Sequence, residues 1–178
     1  MSHDLARLMS AAHFAAQKHA AQRRKGEASE PYVNHVIEVA HLVSHTLSAP
    51  DPDILMAALL HDTIEDTGVT AAELAERFGD EVAALVLELT DDRSLPKAER
   101  KRLQVEHAGK RSLRAQTIKL ADKISNLRSI VNSPPAGWGS AKKLEYFDFC
   151  VRLYDQLTDP HPYLAAEFAA LRADFERL

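Results

Sequence analysis

The chain has 178 residues, of which 46% are hydrophobic and 27% charged, and this composition excludes a disordered or collagen-like protein. A formal net charge of −4 predicts no general affinity for nucleic acid, and a single cysteine excludes an intrachain disulfide and a cysteine-based metal cluster. Glycine and proline are scarce, with 6 and 8 copies, whereas Ala and Leu are abundant. Composition alone therefore predicts an all-α protein.

The sequence shows neither a membrane-spanning segment nor a secretory signal. The longest uninterrupted apolar segment covers residues 54–60, which is far short of the roughly 20 residues that cross a bilayer. Residues 1–8 mix acidic and basic side chains and lack the apolar core of a secretory signal. We therefore expect a cytoplasmic protein with no membrane span.

Apolar residues at helical spacing predict a succession of helices in the first half of the chain. After a first helix and a basic loop, Asn34 is expected to cap the second helix. The Asp-Pro pair at residues 51–52 opens a third helix that is apolar on nearly all sides, which predicts that this helix lies at the centre of the fold. Thr70 and Glu73 form a capping-box pattern that predicts a short fourth helix.

The same periodicity continues through the second half of the chain. Further helices are expected over residues 80–89, 97–107, 112–133, 140–154 and 159–175. No repeat, linker or low-complexity segment interrupts them. The predicted architecture is a single compact helical bundle of about eight to nine helices, with residues 1–178 forming one domain.

A polar cluster follows the most apolar predicted helix, where the hydrophobic pattern gives no reason for a charge. A buried carboxylate is costly unless it is paired or bound to a metal, so His61 and Asp62 require partners. The candidates are His35, in the second helix, and Asp122, beside the buried stripe of a later helix. Two histidines and two aspartates suit Mn²⁺, Fe²⁺, Zn²⁺ or Mg²⁺, and open positions for a substrate favour Mn²⁺ or Fe²⁺.

Two further acids extend this cluster. Glu65 and Asp66 lie one helical turn beyond His61 and Asp62 if the helix continues, which would place both carboxylates over the metal to deprotonate a water. The alternative is an acidic pair on a solvated loop. Acids at the C-terminal end of a helix oppose the helix dipole, which makes this alternative mildly costly.

The basic residues and the remaining histidines can be explained as ordinary surface or core residues. Residues 23–25 and 97–102 are either solvated basic surfaces or contacts for substrate phosphates. Asn126 lies one turn after Asp122 on the same helix face, and Tyr146 has the spacing of a core residue. The other histidines are expected at the surface or as satisfied core residues: His3, His13, His19, His41, His45, His107 and His161.

Several motifs, in order along the chain, resemble the hydrolase domain of RelA/SpoT proteins, which belong to the HD-domain phosphohydrolases. His-Asp-Thr-Ile-Glu-Asp at residues 61–66 is similar to the HDxxED motif, and residues 119–128 are similar to the KLADKxxNLR segment. Residues 23–25 and 31–35 are similar to the RRK and PYxxH segments. Residues 95–106, 137–138 and 145–147 resemble segments of the stand-alone small alarmone hydrolases.

This resemblance implies an all-α HD-domain fold and a specific reaction. The family hydrolyses guanosine 3′,5′-bis(diphosphate), or the corresponding pentaphosphate, at the 3′ position and releases pyrophosphate with GDP or GTP. The resemblance implies one Mn²⁺ per chain, rather than Fe²⁺ or Zn²⁺, held by His35, His61, Asp62 and Asp122. It implies that Glu65 and Asp66 activate the water. The nucleotide contacts that it implies are Arg24, Lys25, Asn126 and Tyr146, with Lys97, Lys101 and Lys142 as candidates for the phosphates.

Other functions fit the same motifs. The site could remove the 2′-phosphate of NADPH or cleave deoxynucleotides, or the protein could bind the alarmone without hydrolysing it. The acids Glu65 and Asp66 argue against the last possibility. The expected partner is a small nucleotide rather than a nucleic acid or a membrane, and no synthetase activity is expected because that region would need hundreds of further residues.

Overall fold

Helices connected by short loops make up the computed structural model, which describes residues 2–49, 51–175 and 177. Within these ranges there is no β-strand, and nine helices of eight or more residues accompany one five-residue helix and one 3-10 turn. The predicted all-α fold class and the predicted number of helices are therefore confirmed. The helices are α1 (Ser2–Lys18), α2 (Val33–Ser44), α3 (Pro52–Leu60), α4 (Thr63–Thr67), α5 (Ala71–Phe78), α6 (Asp80–Leu89), α7 (Lys97–His107), α8 (Leu113–Asn132), α9 (Ser140–Tyr154) and α10 (Pro162–Phe175).

Two compact units divide these helices. The first unit contains the described residues up to Gln22 together with those of Pro31–Asp91, and the second contains Arg23–Glu30 and the described residues from Asp92 onwards. Helices α1 to α6 belong to the first unit and α7 to α10 to the second.

Helix α3 occupies the centre of the first unit, as its apolar sequence predicts. It packs against α1, α2 and α6, and six of its nine residues are buried. Asp51 caps it by accepting a hydrogen bond from the backbone N–H of Ile54 at 3.2 Å, and Pro52 takes the first helical position. Thr70 caps α5 by the predicted contact with the N–H of Glu73, at 3.1 Å.

The start of α2 differs from the expectation. The helix begins at Val33 with Tyr32 in the cap position, so the prediction that Asn34 caps it is wrong. The backbone of Tyr32 is already helical, with φ −61° and ψ −28°, because a turn at Pro31 brings the N–H of Asn34 to the carbonyl of Pro31 at 3.1 Å. Helix α2 then carries His35 in its first turn.

Helix α8 is the buried element of the second unit, with twelve of its twenty residues buried. It contacts α9 and α10, while α7 packs on α9. Ser112 caps α8 through the N–H of Ala115 at 3.2 Å. Phe147 of α9 stacks on Phe175 of α10, with ring centroids 4.7 Å apart.

The basic loop Arg23–Glu30 is anchored to the chain that follows α8. Gly26 forms an isolated bridge with Pro135, and a Cβ added at Gly26 would lie 2.2 Å from the carbonyl oxygen of Ser133. Only glycine allows this close approach. The Oγ of Ser133 also accepts a hydrogen bond from the N–H of Ala28 at 2.9 Å. The anchor fixes the loop that carries Arg24 and Lys25.

Candidate functional site

A cluster of two histidines and one aspartate lies in the first unit, as the motif predicts. One ligand atom of each of His35, His61 and Asp62 lies within 4.8 Å of the others. The Nε2 atoms of His61 and His35 are 3.1 and 3.6 Å from Oδ2 of Asp62. Both histidines are buried, and the Asp62 side chain is 20% exposed. The three residues thus form a nitrogen and oxygen donor set of the kind that binds a divalent transition metal.

Hydrogen bonds orient the members of this cluster. Nδ1 of His61 donates to the carbonyl oxygen of Ala58 at 2.8 Å, which leaves its Nε2 facing Asp62. Such a backbone partner fixes the tautomer and the ring direction of a metal-binding histidine. The hydroxyl of Tyr32 donates to Oδ2 of Asp62 at 2.5 Å, and the ring of Tyr32 contacts that of His35 with centroids 5.3 Å apart.

Asp62 is held in its charged form by these neighbours. Burial raises the pKa of the Asp62 carboxyl, but the charge of His61 and the hydrogen bonds with His35 and His61 outweigh burial. The pKa of Asp62 therefore lies well below its ordinary value. A carboxylate that stays ionised at neutral pH is the form that binds a metal.

The helix is interrupted between Leu60 and Thr63. Helix α3 ends at Leu60, Asp62 has φ −101° and ψ 0°, and the short helix α4 begins at Thr63. The condition that one helix continues through Asp66 is therefore not met. The N–H of Asp66 nevertheless donates to the carbonyl of Asp62 at 2.9 Å, so the two residues remain one helical turn apart.

The two predicted catalytic acids lie in α4 and each has a partner in the first unit. The N–H of Asp91 donates to Oε2 of Glu65 at 3.5 Å, and Nε2 of Gln22 donates to Oδ2 of Asp66 at 2.7 Å. Both acids are half-buried. They are therefore ordered residues of the structure rather than an acidic pair on a solvated loop.

Asp122, the fourth predicted metal ligand, lies in the second unit. Its side chain is buried in α8 and accepts hydrogen bonds from Nζ of Lys123 at 3.0 Å and from Nδ2 of Asn126 at 2.6 Å. Its role as a metal ligand remains a prediction.

Arg24 extends this hydrogen-bonded group. Its Nη2 donates to Oδ1 of Asn126 at 2.9 Å, while the amide nitrogen of Asn126 points to Asp122. The guanidinium therefore sets the orientation of the Asn126 amide. Two predicted nucleotide contacts and one predicted metal ligand thus belong to one network in the second unit.

A buried lysine, Lys123, lies next to Asp122. Burial opposes the charge of Lys123, but the adjacent carboxylate of Asp122 outweighs burial and raises the pKa of the lysine. Burial also raises the pKa of the half-buried Tyr146, and it raises that of the buried Cys150 to about 12. Lys123 was not among the predicted site residues, although it lies inside the motif at residues 119–128.

The remaining predicted phosphate contacts are lysines grouped with aromatic rings of α9 and the loop before it. Nζ of Lys101 lies 5.7 Å from the ring centre of Tyr146, and Nζ of Lys142 lies 5.6 Å from that of Trp138. Partial burial lowers the pKa of Lys97, and the charges of Lys101, Lys25 and Lys142 lower it further. The charges of the other three lysines therefore act on Lys97. We call them the lysine cluster: Lys25, Lys97, Lys101 and Lys142.

Comparisons with known proteins identify the family to which the chain belongs. The profile of the HD domain family matches residues 11–148, which agrees with the all-helical fold and the His–His–Asp cluster. The chain belongs to the HD-domain family.

Several of the similar proteins carry the name MESH1. The chain is 49% identical over 149 residues to the guanosine-3′,5′-bis(diphosphate) 3′-pyrophosphohydrolase MESH1 of Xenopus tropicalis, covering 84% of this chain and 83% of that protein. It is 48% identical over 153 residues to the human MESH1, covering 86% of each. A solved structure described as a metazoan ortholog of SpoT that hydrolyzes ppGpp superposes with a TM-score of 0.91 at 42% identity and covers 97% of each chain. The predicted resemblance to RelA/SpoT-type HD-domain hydrolases is thus confirmed.

No helix in the described part of the chain has both the length and the apolar character needed to span a membrane.

Proposed function

We propose that this protein is a metal-dependent hydrolase that removes the 3′-diphosphate from guanosine 3′,5′-bis(diphosphate) and from the corresponding pentaphosphate. The products are pyrophosphate and GDP or GTP. The observation that carries the proposal is 49% identity to a MESH1 hydrolase over 84% of the chain, in a protein whose His35, His61 and Asp62 form a metal-binding cluster.

The donor set fits a divalent metal. Two imidazole nitrogens and a carboxylate oxygen lie close together in the cluster. The hydrogen bond from His61 to the carbonyl of Ala58 orients His61, and the hydroxyl of Tyr32 orients Asp62. We propose Mn²⁺ as the ion and Asp122 as the fourth ligand, because Mn²⁺ accepts five or six ligands and so keeps open positions. When bound, the ion would supply positive charge and a water of lowered pKa beside the phosphoryl group.

Glu65 and Asp66 are proposed to handle the proton of the attacking water. The water oxygen bonds to the phosphorus next to the 3′-oxygen, the bond between that phosphorus and the 3′-oxygen breaks, and pyrophosphate leaves. A carboxylate takes the water proton, and the 3′-oxygen receives one. The ordered positions of the two acids, each with its own hydrogen-bond partner, support this role.

The second unit is proposed to bind the nucleotide. Tyr146 and Asn126 suit the base or the sugar, and Arg24 suits a phosphate and holds Asn126 in place. The lysine cluster is proposed to attract the two diphosphates, because a group of like charges is stabilised when a polyanion binds to it. We also propose that both units act as one functional domain over residues 1–178, since the family match contains parts of each.

Two wider expectations complete the proposal. The substrate is a free nucleotide rather than a nucleic acid, which agrees with the formal net charge of −4. A cytoplasmic location is proposed with it, because the single cysteine is buried and forms no disulfide.

The decisive experiment is a product assay on the purified protein. Guanosine 3′,5′-bis(diphosphate), NADPH and a deoxynucleoside triphosphate are incubated separately, with and without Mn²⁺ and a chelator, and the products are separated by chromatography. Release of pyrophosphate and GDP that requires Mn²⁺ would support the proposal. Faster release of phosphate from NADPH would contradict the assigned substrate, and tight binding of the guanosine nucleotide without hydrolysis would contradict the assigned reaction.

A further inference from the structure

A chain of side-chain hydrogen bonds leads from the end of α1 to the predicted catalytic acid Asp66. His19 directly follows α1 and is only 1% exposed. Its Nδ1 lies 2.6 Å from Oε1 of Gln22, and Nε2 of Gln22 lies 2.7 Å from Oδ2 of Asp66. All three residues belong to the first unit. A buried imidazole is therefore connected to Asp66 through one glutamine.

The direction of these hydrogen bonds follows from the donors and acceptors. An ionised carboxylate only accepts, so Gln22 turns its NH₂ group towards Asp66 and its carbonyl towards His19. The proton between His19 and Gln22 must then be on Nδ1. The Nε2 atom of His19 is buried and has no hydrogen-bond partner among the described residues, and a proton there would be unsatisfied. The hydrogen-bond geometry therefore assigns the donor role to Nδ1 of His19.

The main chain of Gln22 also contacts Tyr32, the residue that donates to Asp62. Its carbonyl oxygen accepts the N–H of Tyr32 at 3.0 Å, and the hydroxyl of Tyr32 donates to Asp62. The ring of His19 lies against the ring of Tyr32, with centroids 5.0 Å apart and planes at 34°. Gln22 thus connects Asp66 with Tyr32, whose hydroxyl donates to the proposed metal ligand Asp62.

We infer that His19 and Gln22 are positioning residues that hold the carboxylate of Asp66 in the orientation needed to accept a proton from the attacking water. A half-buried aspartate has several rotamers, and a directed bond from an amide fixed by a buried ring selects one of them. This role rests on the proposed function, because it concerns the same water.

The test begins with two substitutions at position 19. His19→Phe keeps the ring against Tyr32 and removes the donor to Gln22, whereas His19→Asn places an amide donor near the position of Nδ1 but leaves a cavity. We expect His19→Phe to lower kcat about tenfold with KM within about twofold, which corresponds to the loss of one hydrogen bond. His19→Asn should be less stable to heat than His19→Phe and yet retain the higher kcat. A merely structural role would give the reverse order, with kcat following stability.

The controls separate the positioning effect from other losses. His13→Phe, on the exposed face of α1, should leave kcat unchanged, and Mn²⁺ content measured by plasma mass spectrometry should be equal in all variants. In a Gln22→Leu background the chain is already interrupted, so adding His19→Phe should cost no further kcat. Wild-type kcat in His19→Phe, or additive losses in the double variant, would overturn the inference while the proposed function stands.

A second measurement does not depend on turnover. In ¹⁵N-labelled protein the His19 signals, identified by their absence from His19→Phe, should report a proton on Nδ1. An Nδ1 without a proton would overturn the inference whatever the activity. Failure of the wild-type protein to release pyrophosphate would instead overturn the proposed function, and with it the catalytic purpose of the hydrogen-bond chain.

Discussion

The hydroxyl of Tyr32 donates a hydrogen bond of 2.5 Å to Oδ2 of Asp62, the oxygen that also lies 3.1 Å from Nε2 of His61. Tyr32 precedes α2 directly, so the residue that begins this helix also orients a proposed metal ligand. A partner of this kind raises the affinity of a ligand set without contacting the metal itself.

Tyr32→Phe is expected to lower the affinity for Mn²⁺ by about tenfold or more, because the carboxylate of Asp62 loses the donor that orients it. Titration of the metal-free protein with Mn²⁺ measures the change. Tyr154→Phe, which removes a hydroxyl from a ring stacked on Phe168, is the matched control and should bind Mn²⁺ like the wild type. Equal affinity in both variants would show that Tyr32 does not orient Asp62.

Asp62→Ala is expected to remove both the bound metal and activity, with a loss of turnover of about 1,000-fold or more, because the donor set of His35, His61 and Asp62 loses its carboxylate. Metal content and product release are measured on the same sample. Asp159→Ala alters an exposed acid and should retain both. Full activity of a metal-stripped Asp62→Ala protein would contradict the assigned metal centre.

Glu65→Ala should separate metal binding from chemistry. We expect turnover to fall by about 100-fold or more while Mn²⁺ content stays at the wild-type level, because Glu65 is proposed to move a proton and not to hold the ion. Glu76→Ala, at an exposed position of α5, is the control. Loss of the metal from Glu65→Ala would indicate instead that Glu65 is a ligand.

Lys97→Met tests the lysine cluster. We expect KM for guanosine 3′,5′-bis(diphosphate) to rise about three- to tenfold at low ionic strength with little change in kcat, because the substitution removes a charge that is proposed to attract the substrate phosphates. Lys110→Met, at an exposed position of the 3-10 turn, should change neither constant. An unchanged KM in Lys97→Met would remove Lys97 from the substrate contacts.

Cys150 should be unreactive in the native protein. Because burial raises its pKa to about 12, only about one molecule in ten thousand carries a thiolate at pH 8. A thiol reagent that absorbs on reaction should therefore modify the protein slowly until denaturant is added, and quickly afterwards. Rapid modification without denaturant would show that the thiol is accessible.

Local sequence was sufficient for much of the fold and for the core of the candidate site. The apolar helix α3, the caps at Asp51 and Thr70, and the cluster of His35, His61 and Asp62 all follow from the spacing of residue types and from the resemblance of the motifs. These features depend on helix periodicity, on side chains that bond to their own backbone, and on a donor set that is costly to bury without a partner.

Tertiary structure alone decided how these motifs are supported. The turn at Pro31 moved the start of α2, and an interruption at residues 61–62 separated α3 from α4, since backbone angles at element boundaries depend on neighbouring contacts. His19 was expected to be an ordinary core or surface histidine. Its contact with Gln22, and through Gln22 with Asp66, has no signature in the local sequence. Gln22 and Asp66 are 44 positions apart. Such a contact depends on where folded helices bring their side chains, which periodicity and composition do not specify.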